Sequence, residues 1–276
     1  MISDIDKYLR QKNKSLDNNI EYQIFALKED AVQSKNEALA NTLWCYGSIY
    51  KIQQLYLNAY KHLKQAAYSN DIMIDNYDSE KSREYEAAWN DLDQCDINIS
   101  FLEKCFCIAD SQISDYHIGE ILHDIKMLQP LFPYKLFLSR ETVIKEQRCS
   151  ICGKVVTVRH PCGHIPGKLY MGKMCGREIT DFSFICETIV TSPFDKYAIL
   201  KVEGQRFSFK ILDSLVLSLE PYSIWSYTVE KRLLPQFYKV GRNEKCPCGS
   251  GMKFKHCIIK KPKLHYEDHY KVQLMQ

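Results

Sequence analysis

The chain has 276 residues and a mass of 32.3 kDa, with 45% hydrophobic residues, 26% charged residues and a mean hydropathy of -0.34; it is long enough for two domains and an appendage. No apolar run approaches the roughly 18 residues a transmembrane helix needs, and Met1-Ile-Ser-Asp-Ile-Asp-Lys7 lacks the basic-then-apolar order of a secretory signal, so a cytoplasmic location is expected. The net charge of +3 hides an asymmetry, with 15 Lys+Arg against 21 Asp+Glu in residues 1–140 and 22 against 13 in residues 141–276. An acidic or phosphate-bearing partner would feel the C-terminal half first.

From about Asp17 to Leu128 apolar residues recur in steps of three and four. One series is Ile49, Ile52, Tyr56, Tyr60, Leu63 and Ala67; another is Tyr85, Trp89, Leu92, Cys95, Ile99, Leu102, Phe106 and Ala109. Each falls on one helical face. Polar, acidic Ser69 to Ser82 between them reads as the connector of antiparallel helices. A shorter helix from about Ser114 to Leu128 must stop before Pro130 and Pro133. The stripes are broad and aromatic, which favours an intramolecular bundle core over a coiled-coil dimer seam. Cys95, Cys105 and Cys107 read as small apolar members of that bundle, and His62, His117 and His123 as surface or satisfied histidines.

After Arg148 the pattern changes. Val155–Val158, Ile185–Val190, Tyr197–Val202 and Arg206–Ile211 are short β-branched or aromatic runs separated by turn residues, and Leu212 to Leu234 is expected to be helical in part. The predicted class is α+β: a helical bundle over 1–140, a small zinc-stabilised β-rich module over 141–235, and a short zinc tail over 236–276.

Twelve cysteines in a long chain with no secretory signal read as thiols or metal ligands, not as a disulfide framework. Seven of them are clustered. The first cluster is Cys149-Ser-Ile-Cys152-Gly153, then His160-Pro-Cys162-Gly-His164 and Cys175-Gly176, a spacing of C-x2-C-x9-C-x-H-x10-C. Two thiolates three residues apart grip one tetrahedral ion while the glycine relieves the turn. The cluster offers more donors than four positions require. Cys149, Cys152, His164 and Cys175 form the preferred set, with Cys162 replacing His164 as the alternative. With no general base signature beside it, a structural zinc is favoured over a catalytic one. The cluster resembles zinc modules of uncharacterised bacterial and phage proteins, a resemblance that implies no activity.

The second cluster lies in Val240-Gly-Arg-Asn-Glu-Lys-Cys246-Pro-Cys248-Gly-Ser-Gly-Met-Lys-Phe-Lys-His256-Cys257. These eighteen residues closely resemble the SEC-C motif, the small zinc-binding tail of the SecA preprotein translocase and of many unrelated bacterial proteins. Gly241-Arg-Asn matches the lead-in, Cys246 and Cys248 the first ligand pair, and Cys257 the third ligand. Where the motif continues with Cys or His, this chain has Ile258. His256 is the nearest replacement donor, with His265 and His269 as later candidates. The resemblance implies a second zinc ion and, as partners, the SecB export chaperone, the ribosome or acidic lipid head groups.

No G-x-x-x-x-G-K-[ST] loop, G-x-S-x-G, G-x-G-x-x-G or H-E-x-x-H occurs in the chain. Asp195 with Glu203-Gly-Gln205 imitates a nuclease signature but lacks its lysine. The expected function is therefore a zinc-binding adaptor whose basic tail docks on a partner. The alternative is a nucleic-acid binder in which Tyr238, Phe254, Tyr266 and Tyr270 stack among lysines.

Overall fold

The computed structural model describes residues 1–69, 79–193, 196–202 and 207–275. The chain is α+β and divides into two compact units, Met1–Tyr222 and Ser223–Gln276. The expected connector at Ser69–Ser82 falls largely outside the described residues.

The first unit is built on helices α1 (Ile2–Leu9), α2 (Asn18–Gln33), α3 (Glu37–Tyr68), α4 (Glu80–Cys105) and α5 (Ile118–Leu128). Each long helix starts on a side-chain cap. Asp17 accepts from the Asn19 N–H, Asn36 from the Leu39 N–H and Ser79 from the Ser82 N–H, each satisfying one free donor of a first turn. The stripes read from the sequence are buried: Ile49, Ile52, Tyr56 and Leu63 on α3, and Tyr85, Leu92, Ile99 and Leu102 on α4. The contacts Cys45 to Cys105, Cys95 to Ile52 and His62 to Glu84 run in opposite sequence order, so α3 and α4 are antiparallel. His62 faces the Glu84 carboxylate at 2.6 Å and His117 the Arg10 carbonyl at 2.9 Å, which leaves both satisfied.

Asp124 of α5 organises the polar part of this core. It is 1% exposed and accepts from the hydroxyls of Tyr56 at 2.5 Å and Tyr60 at 2.8 Å. The Tyr56 oxygen in turn accepts the Tyr222 N–H at 2.7 Å. Burial first, then the neighbouring Asp124 charge, push the Tyr60 hydroxyl well above its ordinary pKa, so it stays a donor. Asp124→Ala should therefore cost about 3 kcal/mol by orphaning two buried hydroxyls, and Asp124→Asn clearly less. Urea unfolding of the two variants beside the parent checks both.

The strands are β1 (Phe137–Cys149), β2 (Leu169–Tyr170), β3 (Lys173–Met174) and β4 (Arg177–Val190), with β5 (Ile224–Leu233) and β6 (Tyr266–Met275) in the second unit. They form three antiparallel pairs, β1–β4, β2–β3 and β5–β6. Three sequence expectations fail here. Val155 makes only an isolated bridge to Arg148 and Val158 is fully solvent-exposed; Ile199 makes a single bridge to Phe137. Phe207 and Phe209 alternate like a strand, yet they belong to no strand and their rings fill the core, Phe209 stacking on Tyr85 at 4.2 Å. Lys210 then opens α6 (Lys210–Val216). Conversely, most of β1 is solvent-exposed and mixes charged and apolar side chains, so it shows no alternation to read.

Candidate metal centres

The first centre grows from the end of the β1–β4 ribbon. β1 delivers Cys149 into a turn where the Gly153 N–H donates to the Cys149 carbonyl at 2.8 Å and the Cys149 N–H to the Lys154 carbonyl at 2.9 Å. Gly153 sits at φ +70°, a region that side chains resist. The opposite wall is the β2–β3 hairpin, after which the Cys175 N–H donates to the Lys168 carbonyl at 2.8 Å. This hairpin seats on the start of α3: the Gly172 N–H donates to the Asn41 side chain at 2.8 Å. A Cβ at Gly172 would meet the Ala40 carbonyl oxygen at 2.9 Å, and the residue has φ +71°. Gly172→Val should accordingly destabilise the first unit by about 2–4 kcal/mol, read as a lower urea midpoint.

Cys149, Cys152, Cys162 and His164 bring their ligand atoms within 4.8 Å of one another. Cys162 Sγ lies 3.8 Å from His164 Nδ1, and Cys175 Sγ lies 3.9 Å from Cys149 Sγ. Separations of about 3.8 Å are the edges of a tetrahedron with metal–sulfur bonds of about 2.3 Å. The structure therefore places Cys162 and His164 together, and sets Cys175 against Cys149 at the side of that group. Arg177 reaches both parts, with Nη1 3.6 Å from Cys175 Sγ and Nη2 donating to the His164 carbonyl at 3.2 Å. Burial would raise the Cys149 thiol, but the N–H groups of Cys152 and Ile151 and the adjoining thiols outweigh it and bring the pKa down to about 6. Burial raises the Cys175 thiol.

The second centre is assembled within residues 223–276. The Cys246 N–H donates to the Met252 carbonyl at 2.8 Å, closing a turn in which Gly249 and Gly251 take φ +77° and +71°. Helix α7 (Phe254–Lys260) presents Cys257 inward, fully buried, 3.4 Å from Cys248 Sγ. The fourth donor comes from beyond α7. His265 is 0% exposed and its Nε2 lies 3.0 Å from Cys246 Sγ. Its Nδ1–H donates to the Lys261 carbonyl at 2.7 Å, which fixes the tautomer and leaves Nε2 free to bind a metal. The ring packs against Phe237 and Phe254, at centroid distances of 4.7 and 5.7 Å. The group that could hold an ion is thus Cys246, Cys248, Cys257 and His265. His256 is solvent-exposed and outside it, and Ile258 packs on the small core around Phe254.

The nearest histidine in sequence is not the nearest in space, because His256 and Cys257 are neighbours on a helix and project about 100° apart. The turn Pro262–Leu264 after α7 folds the chain back and brings in His265. Ser250 hydroxyl, the Cys246 thiol and the Ser250 N–H together lower the Cys248 thiol to about 6, while burial raises Cys246 to about 11. In both centres a set of soft sulfurs with one imidazole suits a tetrahedral divalent ion, zinc foremost. Of the aromatics expected to stack on bases, Tyr238 is exposed but Phe254 is buried against Phe237 and His265. Asp195, Glu203 and Gln205 lie outside the described residues. No described helix is long and apolar enough to cross a membrane.

A family model for the SEC-C motif matches residues 242–257. The protein translocase subunit SecA of Verminephrobacter eiseniae (strain EF01-2) is 67% identical to this chain over 27 residues, 10% of this chain. The chain spans about 3% of the length of that curated relative. No solved structure matches the chain. Residues 242–257 thus match the SEC-C motif and are similar to part of SecA, and three of the four residues grouped at the second centre lie inside the match.

Proposed function

We propose that this protein is a zinc-binding adaptor that holds one ion at each centre and docks on an acidic partner through the lysine-rich surface of residues 223–276. The observation that carries the reading is where charge sits around the second centre. This unit has 11 Lys+Arg against 4 Asp+Glu. Three of the four acids are engaged: Glu230 with Lys271, Asp268 with Lys231, and Glu244 with the Gly241 N–H. Lys239, Arg242, Lys245, Lys253, Lys260 and Lys263 remain solvent-exposed around a buried Cys3His group. Such a knob attracts acidic surfaces at long range, with strong salt dependence. The SecB chaperone and the ribosome are the partners that the likeness to the SecA tail suggests.

The test is retention of the full chain on immobilised SecB, on ribosomes and on single-stranded RNA at low and high salt. We expect SecB or ribosomes to retain it at low salt, and a Lys260→Glu, Lys261→Glu, Lys263→Glu variant to lose at least tenfold in affinity. Unchanged binding by that variant would move the docking surface elsewhere. Selective retention on RNA would favour nucleic-acid binding, for which exposed Tyr238 remains the stacking candidate.

A further inference from the structure

A third group of thiols belongs to neither metal centre and lies where α3 meets the chain leaving α4. We propose that Cys45 and Cys107 are a site of reversible oxidative modification, a dithiol that a peroxide converts to an intramolecular disulfide. Their sulfurs are 3.6 Å apart, one from α3 and one from just beyond the end of α4. Cys45 is 0% exposed and Cys107 is open to solvent. The third thiol of the group is committed elsewhere: Cys105 donates to the Gly167 carbonyl at 2.8 Å, while its own carbonyl accepts from Cys45 at 3.5 Å. That leaves one facing pair. Two thiols do not make a tetrahedral metal site, and the groups of three or more metal-ligating side chains among the described residues lie elsewhere. What two facing thiols can do is join, since closing to a bond of about 2.05 Å asks for a movement of about 1.6 Å.

The chemistry follows from the difference in access. Cys107, as thiolate, attacks one oxygen of hydrogen peroxide; the O–O bond breaks, and the departing hydroxide takes up a proton and leaves as water. Cys107 is then a sulfenic acid. The Cys45 sulfur attacks the Cys107 sulfur, the S–O bond breaks, and the hydroxide leaves with the Cys45 proton as a second water. Two thiols and one peroxide thus become one disulfide and two waters. Burial raises the Cys45 thiol above its ordinary range, so it stays protonated and enters only at the second step. The new bond would join residues 62 apart in sequence. It would also stand two residues from Cys105, which holds Gly167, whose N–H donates to the Cys175 carbonyl at 2.8 Å. Oxidation would brace the loop on which the first metal centre rests.

The test treats the full chain, with its metal as isolated, with about one to five equivalents of hydrogen peroxide, followed by alkylation and digestion without reductant. Peptide mapping should find Cys45 joined to Cys107 before a chromogenic chelator reports metal release. The crosslink should vanish with dithiothreitol and raise the unfolding midpoint by several degrees, as closing a long loop does. In Cys45→Ser, Cys107 should proceed to sulfinic acid, and in Cys107→Ser peroxide should leave the midpoint unmoved. Sulfinic acid at Cys107 in the parent protein, or oxidation of metal-centre cysteines while Cys45 and Cys107 stay reduced, overturns the proposal. If the Cys45 variant fails to fold, mapping of the parent decides alone.

Discussion

His265→Ala should strip one equivalent of metal from the protein and unfold residues 223–276, while His256→Ala leaves both metal content and fold intact. Beyond Trp225 of β5, which is fully buried, the second unit has a small core. Its buried cluster is Phe237, Cys246, Phe254 and Cys257, closed by the fully buried His265. A core of that size falls short of the conformational entropy of some fifty residues, and the lone β5–β6 ribbon is marginal in water. Structural zinc supplies about 10–16 kcal/mol in comparable small modules, and that binding energy is folding energy. Removing His265 deletes the fourth candidate donor and opens a void between Phe237 and Phe254. Elemental analysis and amide exchange read the two effects separately, with loss of protection expected across residues 223–276 and retained protection in α3 and α4. Metal loss in the His256 variant with retention in the His265 variant would reverse the assignment.

Acid should loosen the same centre. The Cys248 thiol is depressed to about 6 in the folded chain from an unfolded value of about 8.5. Its stabilising thiolate is therefore fully effective above about 8.5 and is lost as pH falls through about 6. Metal retention should decline as the pH falls, because protons compete with the ion for the three thiolates and the His265 imidazole.

Replacing Cys149 and Cys152 together by Ser should remove the other equivalent of metal and disorder residues 149–176 without melting the helices. The buried side chains here are Cys149, Val156 and Cys175, with Ile151, Cys162 and Tyr170 packed on them, again too few to order a loop-rich segment unaided. The α3–α4 hairpin instead rests on its own long apolar stripes and on the Asp124 network. Far-UV circular dichroism should keep its helical signal, and the unit should lose a few kcal/mol because the Gly172 and Gly167 anchors to α3 and Cys105 become mobile. The single variants Cys162→Ser and Cys175→Ser then show which of the five donors complete the tetrahedron. The one that retains metal is the spare.

What the sequence determined by itself is local. A 3.6-residue period read along α3 and α4 needs no knowledge of partners, because each stripe is contiguous on its own helix. Cys-x2-Cys149–152 and Cys-x-Cys246–248 are legible for the same reason: two ligands on one turn are fixed by short-range geometry. The tertiary structure decided whatever depends on distant pairing. β1 meets β4 with Phe137 opposite Val190, and neither its polarity nor its period announces a strand exposed on both faces. β5 and β6 bracket the second centre in a register set by residues 33 to 51 positions apart, from Leu233 and Tyr266 to Ile224 and Met275. The fourth donor follows from that closure. His265 is buried because the turn after α7 and the start of β6 return the chain to Phe237 and Cys246, and a motif written along the sequence, ending at Cys257, cannot express a candidate donor delivered by a fold.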